Sequence, residues 1–152
     1  GGAVFTAMST VSASEKVSFE VNGGATANVA TGVKAPEVDV EVNGGAVANI
    51  SSIQANDIDI ESNGGAVAKI SGAIASQVKV DVNGGATATV SGIKANYLEV
   101  DANGGAGATV SGHAMKASLS ANAASRINAR ELTTDQAPDT SSHVASSISL
   151  RR

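Results

Sequence analysis

The sequence predicts an all-β fold, a single-stranded β-solenoid in which each coil of about 20 residues carries about three short parallel strands. Three observations predict it. The tetrapeptide Asn-Gly-Gly-Ala begins at Asn22, Asn43, Asn63, Asn83 and Asn103, a nearly constant interval of about 20 residues, and self-similarity at such a period marks a repeat architecture. The residues ahead of each copy alternate apolar and polar, the mark of a half-buried strand. Finally, apolar residues make up 42% of the chain but include no Trp, one Tyr and two Phe. A core of Ala, Val and Ile suits a thin space between closely set strands better than a thick multilayer interior.

Each unit opens on the alternating strand: Val17–Val21, Val38–Val42, Ile58–Ser62, Val78–Val82, Leu98–Ala102 and Ala117–Ala121. The Asn-Gly-Gly corner follows, with glycine supplying the positive φ that such a turn requires. A second short strand comes next, as in Ala86-Thr-Ala-Thr-Val90, then a Ser-Gly or Thr-Gly corner, then a third segment such as Ile93-Lys-Ala95. Leucine-rich repeats have a similar period, but their Leu-x-x-Leu-x-Leu pattern is absent. An antiparallel meander would need an even number of strands per unit and would not keep identical residues in register. The clear repeats cover residues 15–121 of one domain spanning 1–152, with degenerate coils at 1–14 and 122–152. Gly1-Gly2-Ala3 reads as the tail of an earlier corner and Asn122-Ala123-Ala124 as a later, weaker one.

Stacked coils lie about 4.8 Å apart, so equivalent positions form columns. Phe19, Val40, Ile60, Val80, Val100 and Leu119 are expected to form the main core column, and Ala27, Ala48, Ala68, Ala88 and Ala108 a thin one. Asn22, Asn43, Asn63, Asn83, Asn103 and Asn122 are expected to form a structural corner ladder of side-chain amides bonded from coil to coil.

Charge and composition exclude several partners. Residues 1–111 hold five lysines against eleven carboxylates, and residues 112–152 five cations against three. An acidic body without clustered cations is a poor nucleic-acid binder. There is no Cys, hence no disulfide and no thiolate metal site. No apolar run reaches the roughly 18 residues of a membrane span, and no intact signal peptide is present; if the protein is exported, its leader has been removed.

The only metal candidate is an acidic ladder on the outward side of the first strand: Glu20, Glu41, Glu61, Asp81 and Asp101, with Asp39, Asp59 and Glu99 alongside, interrupted by Lys79. Calcium prefers carboxylate oxygens, but it needs about six converging on one point. A flat strand ladder offers two or three, so a solvated acidic face is the favoured reading. The glycine pairs match no phosphate-loop motif, and no helix follows them. His113 and His143 stand far apart in the chain, with no His or Cys partner at ligand spacing. No nucleophile elbow accompanies them, and His113 is placed in the column of Val33, Ile53 and Ile93. Thr-x-Thr ladders of the ice-binding kind are not sustained, and Asn49-Ile-Ser51 is a single glycosylation sequon. These readings give no catalytic residue, no cofactor and no enzyme.

Units such as Ile93-Lys-Ala-Asn-Tyr-Leu-Glu-Val-Asp-Ala-Asn-Gly-Gly-Ala106 resemble the GIN-domain family, described as autotransporter-adhesin heads, over residues 15–130. Those domains repeat a strand, a Gly-rich corner and an Ala-containing segment. This chain departs from them in placing Asn-Gly-Gly-Ala where the family usually has Gly-Ser-Gly-Asp. The resemblance implies a β-helix located outside the cell or on its surface, with no ligand residues to carry over. Two functions are expected: a non-enzymatic adhesin-like surface module, or the subunit of a filament stacked end to end. The partners are then other surface molecules or further copies of the chain. The filament reading rests on the strand-like Ala3–Ala7 at one end and on alternation at Val144–Leu150 at the other, since exposed strand edges template pairing.

Overall fold

The computed structural model describes residues 2–9 and 11–151. Gly1, Thr10 and Arg152 lie outside them, and with Gly1 the first residue of the Gly1-Gly2-Ala3 remnant. Among the described residues, sixteen strands form one continuous sheet wound into a β-solenoid of about 7 turns without helix. Every strand pairing is parallel and joins one coil to the next.

The first face is built from β3 (Lys16–Asn22), β6 (Glu37–Asn43) and β9 (Asp57–Asn63). The second face holds β1 (Val4–Ala7), β4 (Thr26–Val29), β7 (Val47–Ile50) and β10 (Val67–Ile70). The third is the narrowest, with β2 (Val11–Ser12), β5 (Val33–Lys34) and β8 (Ile53–Gln54). Beyond these, strands run round the bend between faces without a break: β11 (Ala73–Asn83), β12 (Thr87–Asn103) and β13 (Gly107–Ala121). Pro36 stands at that bend in the second coil, where it has no N–H to give a ladder. Its carbonyl instead accepts from Asn56 N and Asp57 N of the third coil. The stack ends with β14 (Arg126–Thr134), β15 (Asp139–Ser142) and β16 (Ser147–Leu150).

The phase of the alternation follows the sequence. Val38, Val40 and Val42 are buried while Glu37 and Glu41 are exposed, and Ile58 and Ile60 repeat the pattern against Asp57, Asp59 and Glu61. Register places Val40 on Ile60, Ile60 on Val80 and Val80 on Val100. The opposing wall is the alanine column, Ala48 on Ala68 and Ala68 on Ala88, each almost fully buried. Beta-branched residues of the first face meet the alanines of the second, with Val29, Ile50, Ile70 and Val90 buried beside them in a narrow interior.

Three expectations need correction. Phe19 belongs to its column, facing Val40, but is only half-buried, because β3 pairs with β6 alone and nothing covers its other side. His113 does not stand with Val33, Ile53 and Ile93. Ile93 pairs with Gly112 and Lys94 with His113, after a register shift between Val90 and Ile93. The coil there is one residue shorter, so His113 moves to the outward column of Lys34, Gln54, Ile74 and Lys94. Gly112 is held by sterics: a Cβ at that point would lie 2.3 Å from the Ile93 carbonyl oxygen. Lastly, Val144–Leu150 is not one alternating strand. Val144 and Ala145 adopt φ of 51° and 58° and form a corner, and only Ser147–Leu150 is strand.

Candidate functional surfaces

At each Asn-Gly-Gly corner both glycines take positive φ, as at Gly44 (61°) and Gly45 (77°). Positive φ at both central residues is the I′ turn, the form whose twist suits a tight reversal and which glycine adopts without steric cost. The alanine that follows is driven inward, with Ala46, Ala66, Ala86 and Ala106 buried. The asparagine is left on the outer edge, in register with its counterparts.

There the amides form an unbroken chain. Asn43 Nδ2 donates to Asn22 Oδ1 at 2.9 Å, Asn63 to Asn43 at 3.0 Å and Asn83 to Asn63 at 3.1 Å. Asn103 donates to Asn83 at 3.2 Å and Asn122 to Asn103 at 3.1 Å. Every donor points toward the N-terminal end. In the first three coils the same Nδ2 also donates to the glutamate two residues back, Asn22 to Glu20, Asn43 to Glu41 and Asn63 to Glu61, at 2.6–2.7 Å. A second short amide ladder joins Asn49 to Asn28 at 2.9 Å on the second face.

Those bonds give the carboxylates of the acidic ladder a structural task. Glu20, Glu41 and Glu61 serve as acceptors for the corner amides. Asp81 and Asp101, one methylene shorter, make no such bond, and Asp81 takes Lys79 at 3.2 Å instead. Lys16 bridges the adjacent columns, 2.9 Å from Glu37 and in contact with Asp39, and hydrogen bonds to Asp39 and Glu37 raise its pKa. Asp59 neighbours Lys79 in register, but Lys79 pairs with Asp81 instead. Desolvation between neighbouring strands raises the Asp59 pKa, Lys79 opposes this, and Asp39, Asp81 and Glu61 add to it. Like charge along the column is thus relieved by amides and lysines. Among the described residues, no three His or carboxylate side chains converge in a metal-holding group.

The histidines stand apart from each other. His143 occupies the asparagine position of the last corner, its Nε2 2.9 Å from the Ser141 hydroxyl. His113 Nδ1 lies 3.1 Å from Thr133 Oγ1 and its Nε2 3.5 Å from Asp135. The sequence did not single out Thr133 or Asp135, because they reach His113 only through the stacking of one coil on the next. The trio superficially has the members of a nucleophile–base–carboxylate set. However, Thr133 Oγ1 donates its proton to the Gly112 carbonyl at 3.1 Å, so it accepts from the imidazole and is not activated by it. Both His113 and Asp135 are about half exposed, at 49% and 57%, without the water-excluded setting such chemistry uses.

The two ends differ from the faces. β1, β2 and β3 each pair on one edge only, and Val4, Phe5 and Met8 are exposed. Phe5, Phe19, Val21, Ala25 and Ala27 contribute to a recess of about 430 Å³ there. At the other end Arg130, Ile148, Ser149, Leu150 and Arg151 line one of about 540 Å³.

Flat ladders, an interior of small side chains and corners linked by amides define a parallel β-solenoid. Residues 73–147 match the model of a family described as "Putative auto-transporter adhesin, head GIN domain". Over that stretch, close to half of the chain, the match bears out the family resemblance read from the sequence. The part of the likeness over residues 15–72 lies outside the match, although its coils continue the same stack. No curated protein and no solved structure matches the chain.

Proposed function

We propose that the chain is a non-enzymatic, adhesin-like module of the cell surface or extracellular space, presenting the flat faces of a rigid stack to other surface molecules. The observation that carries this reading is the match to the adhesin-head family on a stack whose outer faces are uniform ladders. Contact surfaces of this kind bind through area and repeated polar groups and not through one deep pocket. The acidic first face favours cationic or hydroxyl-rich partners over nucleic acid. Labelling intact cells with antibody against the chain, and competing their attachment with the purified chain, tests the proposal. Surface labelling with attachment reduced by competition is the expected result. Antigen confined to the cell interior would overturn it.

The open ends favour a second reading, end-to-end stacking of copies. Continuing the register would set Ser147–Leu150 of one copy beside Val4–Ala7 of the next, bringing Ile148 to Phe5 and Leu150 to Ala7 on the inward side. The first face contributes less, because Pro138, Thr140 and Ser142 of the last coil are polar or unable to donate. Such a contact does not close on itself and grows as an open filament. Sedimentation and negative-stain microscopy decide it. Filaments that shorten when Phe5→Pro/Thr6→Lys chains are mixed in support stacking, and a chain that stays monomeric at high concentration refutes it.

A further inference from the structure

Five corners of identical sequence are not bonded identically. In the first four, the glycine after the asparagine donates its N–H to the next coil. Gly23 gives to Asn43 O at 3.2 Å, Gly44 to Asn63 O at 3.2 Å, Gly64 to Asn83 O at 3.1 Å and Gly84 to Asn103 O at 3.1 Å. The same corners are closed by an alanine N–H returning to the asparagine carbonyl at 3.3 Å, as from Ala86 to Asn83. The fifth has neither bond. The next corner asparagine, Asn122, arrives one position earlier than the regular spacing would place it, and its carbonyl is taken by the Ser125 hydroxyl. Contact with the next coil is made by Gly105 N to Ala123 O at 2.8 Å instead. The Gly104 N–H therefore has no acceptor among the described residues, and Gly104 is exposed to solvent.

We propose that Asn103 is a spontaneous deamidation site that reacts ahead of its four counterparts. In an Asn-Gly pair the glycine nitrogen, deprotonated by hydroxide, attacks the asparagine Cγ, and the missing Cβ leaves that approach open. The Gly104 N–Asn103 Cγ bond forms and the Cγ–Nδ2 bond breaks, so ammonia leaves and a five-membered imide remains. Water then opens the imide at either carbonyl, giving aspartate or isoaspartate. One water is consumed and one ammonia released, with no change of oxidation state.

An N–H already donated to a carbonyl must forfeit that hydrogen bond before it can be deprotonated. This protects Asn22, Asn43, Asn63 and Asn83. Asn83 is the closest internal control: its side chain, like that of Asn103, gives and receives one ladder bond and lacks a glutamate acceptor. The two differ in the glycine amide. Conversion at Asn103 removes a donor from the amide chain and adds negative charge beside Asp101, and isoaspartate lengthens the backbone at the corner between the fifth and sixth coils.

The experiment holds the folded chain in mildly alkaline buffer and follows each corner by peptide mapping and mass spectrometry, with a parallel sample in concentrated urea. Asn103 is expected to convert several-fold faster than the other four when folded. In urea the five rates should converge, since Asn-Gly-Gly-Ala is common to all. Equal rates in the folded chain, or another corner leading, would overturn the proposal. A lead for Asn103 that persists unchanged in urea would also overturn it, because the cause would then not be the fold.

Discussion

Ser62 interrupts an apolar column. Register sets it between Val42 and Val82, with Val21 and Ala102 beyond them. Its side chain is fully buried and its hydroxyl has no hydrogen-bond partner. A buried hydroxyl without a partner costs about 1–3 kcal/mol on protein mutational scales. Ser62→Ala removes that cost and is expected to stabilise the chain by about 1 kcal/mol. Ser62→Val also restores apolar contact with both neighbours, and its two further buried carbons add about 0.8 kcal/mol each, for a gain of about 2.5 kcal/mol in total. At this chain length about 1 kcal/mol moves Tm by about 2–4 °C, so the valine variant should melt about 5–10 °C higher in calorimetry. If Ser62→Ala melts at or below the parent, the hydroxyl is satisfied in solution and the reasoning fails. If alanine stabilises but valine destabilises, the desolvation argument stands and the column has closed around serine.

Ala123 and Ala124 hold φ of 52° and 64° where the earlier corners have glycine; left-handed backbone costs an L-residue about 1 kcal/mol. Ala123→Gly and Ala124→Gly should therefore each raise the denaturant midpoint, and a fall would mean that this corner is not left-handed. Asp59 has a pKa raised mainly by desolvation, so the folded chain holds that proton more tightly than the unfolded one. Stability is accordingly lost as pH rises from the ordinary aspartate pKa through the folded value. Asp59→Asn should match the parent in acid and exceed it above that window, and melts that stay parallel across pH would refute the assignment. Val80→Asp puts a carboxylate at a fully buried point and should cost about 4 kcal/mol or prevent folding. The outward Asp101→Asn should stay within about 0.5 kcal/mol of the parent, and equal damage in paired melts would show the inward–outward phase to be reversed.

The coil, its three segments and the inward phase were legible because each rests on a local signal that recurs, and recurrence removes chance matches. Events that happen once in the stack were not. The contraction at Gly112 looks from the sequence like another Ser-Gly corner, and only the backbone path sets Gly112 on Ile93 and His113 on Lys94. The meeting of His113 with Thr133 and Asp135 depends on that contraction. Val144-Ala145 reads as strand by composition, yet the sixth coil already shows alanine in the left-handed corner. Glu20, Glu41 and Glu61 read as a solvated face or a weak metal ladder, because a hydrogen bond from an asparagine two residues on in the same strand leaves no trace in periodicity.

The corner geometry also bears on how the gene can change. From Asn22 to Asn103 each unit begins and ends at an asparagine followed by glycine, and in such a stack each coil rests mainly on its neighbours. Loss of residues 64–83 would join Asn63 to Gly84, restoring the same tetrapeptide with no odd residue at the junction. Deletion or duplication of such a unit would thus shorten or lengthen the protein by a whole coil, about 4.8 Å at a time, with the junction still closed by the same turn. Reach would then change in discrete steps, while the lateral faces keep their chemistry.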